Sequence, residues 1–281
     1  SSAASGGVIT QSLVYLLEEG LIDGAVVLRQ GEPRPWLAEP IIAQTPETIL
    51  ESAQSVYIPV PVNTILPRMA AFKGRLAYVG LPDQVASLRE MQRQQLDAAL
   101  KVDYVIGPYT GTYMYLEAIE SYLRSNGVES IDEVIHLRYR DGQWPGHLTI
   151  LTRSGRLLRA PKFHYNYLIP FYITRSSLLA VDFTNELTDI SVGDAWHPRY
   201  QGSGEGFSVV VARSEKGDAL LDSMESEGLL ALEEIEIEDA ISMHAHMFDF
   251  KKRGTFIRLE MRQACGRRIP KYGYHPKSLT V

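Results

Sequence analysis

Residues 75–107 read RLAYVGLPDQVASLREMQRQQLDAALKVDYVIG, and this stretch decides the fold class. Residues 75–81 are a short apolar run bounded by Pro82-Asp83-Gln84, the pattern of a buried strand and its turn. Residues 85–100 place charges on one helical face and apolar side chains on the other. Residues 102–107 form a second apolar run, followed by a loop over 108–112 and a helix over 113–126. Two neighbouring strands joined by a helix lie parallel, with a right-handed crossover. In such sheets ligands collect beyond the carboxyl ends of the strands, here the loops 82–84 and 108–112.

Upstream, Ser5-Gly6-Gly7 runs into an amphipathic helix over residues 8–19, ended by Gly20, and residues 21–28 read as a turn and a buried strand. A helix N-terminus bared by glycines presents free N–H groups and partial positive charge, which suits phosphate. Downstream, residues 134–140, 147–153 and 156–160 alternate in polarity around Asp141-Gly142 and Ser154-Gly155, an antiparallel meander. Residues 162–174 form an aromatic stretch, 206–213 a strand, and 216–227 and 239–252 helices. The class is therefore α/β: a mixed sheet with a β-α-β-α parallel unit, an antiparallel meander and a helical C-terminal extension. Residues 1–250 are read as the body and 251–281 as a basic extension.

The 281 residues are 45% hydrophobic and 22% charged, which excludes disorder and low-complexity classes. One cysteine, Cys265, excludes a disulfide framework and any thiolate-held metal site built within the chain. No apolar run approaches a membrane span and no secretory leader is visible, so a soluble cytoplasmic protein is expected. The net charge of −6 argues against nucleic-acid binding. It is unevenly placed: residues 251–281 hold nine Lys or Arg against Glu260 alone, giving +8, and the preceding 250 residues carry −14. A basic segment on an acidic body suits an anionic ligand or an acidic partner.

Several chemistries fail on pattern. There is no Walker loop, no G-x-S-x-G elbow and no H-E-x-x-H. Gly202-x-Gly204-x-Gly206 is spaced wrongly for a dinucleotide fingerprint and reads as a mobile loop. His244 and His246 stand two apart and face different ways on a helix, so they read as surface or packing residues. Residues 182–196 carry Asp182, Glu186, Asp189 and Asp194 among apolar residues, and read as a polar loop at a pocket rim, its acids solvated at a strand edge.

The sequence resembles the β-subunit family of coenzyme F420-reducing hydrogenases and dehydrogenases. The matching motifs are Ser5-Gly-Gly-Val-Ile-Thr10, Leu21-Ile-Asp-Gly-Ala-Val-Val27, Gly80-Leu-Pro82, Trp144-Pro-Gly146, Asn185-Glu-Leu-Thr-Asp-Ile-Ser-Val-Gly-Asp194, and Lys252-Arg-Gly-Thr-Phe-Ile-Arg258 with Arg268-Ile-Pro-Lys-Tyr-Gly273. Residues 55–61 match as well, so the resemblance spans almost the whole chain in order. It implies bound FAD, hydride exchange with a deazaflavin or related carrier, and a fold particular to the family. It also implies an iron–sulfur cluster held by cysteines at four positions that here read Asp83, Thr110, Ser177 and Ala180. None supplies a thiolate, so no cluster and no metal are expected.

On that resemblance, Ser5, Gly6, Gly7, Val8 and Thr10 belong to the FAD site, with Gly6, Gly7 and Thr10 on its pyrophosphate. Ser55, Tyr57, Pro59, Pro82, Gln84, Tyr109 and Thr110 are its remaining cofactor residues. Asn185, Glu186 and Asp194 line the reacting pocket as catalytic candidates, and Lys162, His164, Arg267 and Arg268 take an anionic carrier, coenzyme F420 or NAD(P)H. The expected activity is cluster-free hydride transfer by an FAD-dependent oxidoreductase to an organic or protein acceptor. The alternative is a non-catalytic flavoprotein or structural subunit of an electron-transfer complex. A partner subunit or homo-oligomer fits either reading.

Overall fold

The structure, a computed structural model, describes residues 5–201 and 205–274. The strands are β1 (Gly24–Gln30), β2 (Ala38–Ala43), β3 (Leu76–Val79), β4 (Val102–Pro108), β5 (Val134–Asp141), β6 (His147–Thr152), β7 (Leu157–Pro161), β8 (Ile190–Asp194) and β9 (Ser208–Ala212). Six form one sheet in the order β2-β1-β3-β4-β8-β9. Its four central strands run parallel, and β2 and β9 close the edges antiparallel. The other three, β5-β6-β7, form the antiparallel meander.

Helices cover both faces, as parallel sheets require. The helices that frame the core and the sites are α1 (Val8–Glu18), α2 (Pro46–Glu51), α3 (Leu66–Ala71), α4 (Pro82–Arg93), α5 (Asp97–Leu100), α6 (Glu117–Ser125), α7 (Arg175–Leu179), α8 (Glu215–Ser226) and α9 (Gly254–Ala264), beside other short helical segments. The period-2 alternation of the strands divides the core. Ala25 and Val27 of β1 and Ala77 of β3 face α1, α2 and α8. Val26, Leu76 and Tyr78 face α3, α4 and α5. A third core lies between the meander and α6, through Leu137, Leu148, Ile150, Ala118 and Leu123. No described helix is long and apolar enough to cross a membrane.

Several boundaries differ from the sequence reading. The helix expected over 85–100 begins at Pro82 and stops at Arg93, because Gln95 takes a left-handed backbone (φ 59°); a separate short helix follows at α5. The helix expected from residue 113 begins at Glu117, because Met114 is extended, donating its N–H to the Tyr57 carbonyl and bridging Ile173. β2 was not read as a strand. The segment 182–196 is solvated only in part: Glu186 is exposed, whereas Ile190–Asp194 is an interior strand and Asn185 and Asp189 are buried. Asp189 instead accepts from the Val105 N–H and the Ser214 hydroxyl and pairs with Arg89 and Lys216. The helix read over 239–252 is interrupted at Met243–His244, resumes at Ala245–Phe248 and passes through a π-turn, Asp249–Arg253, into α9. The residue 250/251 boundary drawn from charge falls inside this run. Phe256 and Leu259 pack on Val181 of the body.

Candidate functional site

The N-terminus of α1 sits at the carboxyl edge of the main sheet. Gly7 caps it with φ 80°, a left-handed conformation that suits glycine, and neither a capping side chain nor an acid occupies the first turn. The leading N–H groups of the helix therefore have no partner within it. Gly6 donates its N–H to Ser208 Oγ at 3.1 Å, and the Ser5 hydroxyl donates to the Phe207 carbonyl at 2.7 Å. A Cβ on Gly6 would lie 3.0 Å from Ser208 Oγ and 3.3 Å from the Gly206 carbonyl. Gly206 in turn leaves room for Ser5 and for the Trp144 ring. This loop is a cradle that larger residues would fill.

Beside the cradle the meander meets the end of β8. Arg140 on β5 donates to Asp194 Oδ2 at 2.8 Å and to the Pro145 carbonyl at 2.9 Å, while its Nη2 is buried without a partner. Trp144 and Trp196 lie with ring centroids 4.4 Å apart, and Trp144 Nε1 reaches Asp194 at 3.4 Å. Lys162 Nζ stands 5.8 Å from the Trp196 ring centroid and donates to the Tyr57 hydroxyl at 3.2 Å. Burial pushes the Tyr57 hydroxyl up, but the positive charges of Lys162 and Arg140 outweigh it and hold Tyr57 below the ordinary phenol range. His244 Nε2 lies 2.8 Å from the Asp194 carbonyl, and burial lowers the imidazole below its ordinary value. Its ring packs edge-on against Tyr109 and Phe183.

A second region lies along the same edge. Pro59, Val60, Asn63, Leu81, Gln84 and Tyr113 line an open cleft of about 490 Å³ together with Asp83. Adjoining it, Asp83, Thr110, Ser177 and Ala180 converge on one small cavity of about 10 Å³, with Asp182 and Lys251 in its lining.

The sequence-derived candidates thus fall into distinct places. Ser5, Gly6, Gly7, Tyr57, Lys162 and Asp194 surround the cradle and the tryptophan pair. Val8 turns its side chain into the core and Thr10 is half-buried, so both offer the site chiefly backbone. Pro59 and Gln84 line the open cleft, Pro82 and Thr110 the small cavity, and Tyr109 packs on His244; Ser55 is half-buried. Asn185, with φ 60°, donates its amide to the Gly80 and Pro108 carbonyls at 2.8 and 3.3 Å, joining the ends of β3 and β4. Glu186 is exposed and pairs with Lys252. His164 is exposed beside Tyr167, and Arg267 and Arg268 lie exposed beyond α9. Gly202 and Gly204 lie outside the described residues. Sequence reasoning did not single out Arg140 or Trp196, which lie beside the cradle, and read Lys251, which lines the small cavity, only as part of the basic segment. Trp144 was noted only as part of a motif.

The cradle fits a dinucleotide pyrophosphate: an eleven-residue helix offers unpaired N–H groups, glycines keep the approach open, and Arg140 Nη2 is a buried donor without an acceptor. Among the described residues no three His, Cys, Asp or Glu side chains are grouped to hold a metal ion.

Residues 1–67 match the family model described as coenzyme F420 hydrogenase/dehydrogenase, beta subunit N-term, and residues 73–238 match its C-terminus counterpart. The chain is 28% identical, over 82% of its length, to a coenzyme F420-dependent sulfite reductase of Methanocaldococcus jannaschii, of which it spans only 36%. It is 25% identical over 83% of its length to a coenzyme F420 hydrogenase subunit beta of Methanosarcina barkeri, spanning 77% of that protein. It is 27% identical over 80% of its length to the 7-hydroxymethyl chlorophyll a reductase of Oryza sativa subsp. japonica, covering 46% of it. In fold it is similar to a chain of the F420-reducing [NiFe] hydrogenase complex from Methanosarcina barkeri, with TM-score 0.72, 23% identity, and 96% and 91% of the two chains covered.

Proposed function

Because the chain belongs to the coenzyme F420 hydrogenase/dehydrogenase beta-subunit family, we propose that it is an F420-linked oxidoreductase that uses FAD to move hydride between the reduced carrier and an organic or protein acceptor. Curated relatives named for F420-dependent sulfite reduction and F420 hydrogenase support the carrier and the redox class. The observation that carries FAD is the cradle at the glycine-capped N-terminus of α1, beside which Arg140, paired with Asp194, keeps one buried guanidinium nitrogen without a hydrogen-bond partner.

The chemistry that a bound FAD would supply is two-electron hydride acceptance with paired or single-electron return. The N–H groups at the start of α1 would hold its pyrophosphate, with Gly6 and Gly7 keeping the backbone close. Arg140 supplies a buried donor for an anionic or carbonyl oxygen. Lys162 and Tyr57 form a hydrogen-bonded pair able to hold or release a proton at Tyr57 Oη, because the ammonium stabilises the phenolate. Trp144 and Trp196 present planar apolar faces to a ring system and exclude water there.

Purification without added flavin, reconstitution with FAD and anaerobic titration with reduced F420 test the reading. A yellow protein bleached by the reduced carrier supports it. A protein that binds no FAD overturns it. FAD bound but reduced by no carrier favours the structural-subunit alternative.

A further inference from the structure

We propose that the cavity at Asp83, Thr110, Ser177 and Ala180 is closed by Lys251 and held by the C-terminal segment, so that this chain fills with its own side chains a place where related chains would carry an iron–sulfur cluster. The inference rests on the family assignment, not on the flavin. The four positions come from the start of α4, the loop after β4, the middle of α7 and the residue ending α7, yet they line one cavity with Lys251. The place is therefore retained while its chemistry has changed.

The donor set does not fit an iron–sulfur cluster. A carboxylate, two hydroxyls and a methyl group replace soft thiolates. The hydroxyls are already committed: Ser177 Oγ accepts from the Tyr113 N–H at 3.1 Å and from the Thr174 hydroxyl at 2.9 Å, and Thr110 donates to the Pro108 carbonyl. The remaining space, about 10 Å³, is close to that of one water-sized probe. The missing volume is taken by Lys251, which is 1% exposed and donates to the Ser177 carbonyl at 2.9 Å. It reaches there from the π-turn Asp249–Arg253, whose extra residue re-aims the side chain inward.

Three neighbouring carbonyls are met in the same way. Arg258 donates to the Leu178 carbonyl, Tyr272 to that of Leu179 and Thr255 to that of Ala180. Four consecutive carbonyls at the end of α7, left open by helix geometry, are thus satisfied by one segment, residues 251–272. That segment ties α7 to the body as a cluster's ligands would tie their loops. The ammonium faces the carboxylates of Asp83 and Asp182 and the guanidinium of Arg258.

Cysteines can be restored to test this. A variant carrying Asp83→Cys, Thr110→Cys, Ser177→Cys and Ala180→Cys is compared with the same variant plus Lys251→Ala after anaerobic reconstitution with ferrous iron and sulfide. Bound iron and acid-labile sulfide per chain are measured, and folding is checked by circular dichroism. Adding Lys251→Ala should raise both several-fold. Equal uptake in the two variants, high or low, overturns the inference. Should these variants not fold, Lys251→Ala and Lys251→Met decide: added propylamine should raise the melting temperature of Lys251→Ala by several degrees and leave that of Lys251→Met, which keeps the bulk, unchanged, and an equal effect on the two, or none, overturns it. Stoichiometric iron and sulfide in the unaltered chain would also overturn it. None of these readouts depends on flavin, so failure here and failure of the FAD reading are separable.

Discussion

Arg140 Nη1 lies 2.8 Å from Asp194 Oδ2, a nearly buried ion pair that joins the meander to the end of β8. The two side chains are 4% and 14% exposed, so removing one partner strands the other's charge. Asp194→Ala should therefore cost about 3–5 kcal/mol in urea unfolding. Arg140→Met together with Asp194→Leu should recover much of that loss, since the pair's own desolvation cost disappears with it. A double variant no more stable than Asp194→Ala would mean that the contact is held by shape rather than charge.

The parallel unit was legible because apolar runs, a proline-started helix and a second run within 33 residues admit few other arrangements. The glycine loop was legible because Gly6 and Gly7 serve local geometry. What stayed hidden depends on distant pairing. Asp189 and Asn185 look like loop acids and amides until β4 and β8 bury them. Arg140 reads as an ordinary strand charge, and only the return of β8 gives it Asp194. Lys251 looks like the first residue of a solvated tail, whereas a π-turn sends it inward.

Gly7 and Gly20 both hold left-handed backbones, φ 80° and 62°, but only Gly7 stands at the cradle. A side chain at either position costs about 1–2 kcal/mol of backbone strain. Gly7→Val should in addition weaken FAD binding by about 2 kcal/mol, roughly thirtyfold, by leaving charged oxygens unpaired. Gly20→Val should lower the melting temperature with unchanged flavin affinity. Equal flavin loss in the two variants, measured by fluorescence titration, would remove this loop from the cofactor site.

The basic segment offers a smaller field than its +8 suggests. Lys251 and Arg258 are spent on carbonyls, and Lys252 and Arg253 on Glu186 and Asp249. Arg267 and Arg268 remain exposed and able to fork onto phosphate or carboxylate oxygens. Replacing both with Gln should raise KM for an anionic carrier several-fold and flatten its salt dependence, since exposed charges are screened beyond about 8 Å at physiological ionic strength. FAD content should not change. The same KM and salt slope in both proteins would assign this pair to another surface role.

Lys251 gives the protein a pH signature. Burial, with a further contribution from Arg258, lowers its ammonium from 10.5 to about 8, although Asp83 and Asp182 pull the other way. Below pH 8 the amine is protonated in both the folded and unfolded states. Between about pH 8 and 10.5 the unfolded chain still holds the proton that the folded chain has released, so stability rises with pH across that window. Lys251→Met keeps the bulk and removes the titration. The unfolding free energy of the parent relative to this variant should be flat up to about pH 7 and climb by up to about 3 kcal/mol by pH 10.5. The comparison cancels tyrosine ionisation, which both proteins share. Parallel curves from pH 7 to 10.5 would show that the amine is not held in the buried pocket, and a falling difference would make a neighbouring carboxylate outweigh burial there.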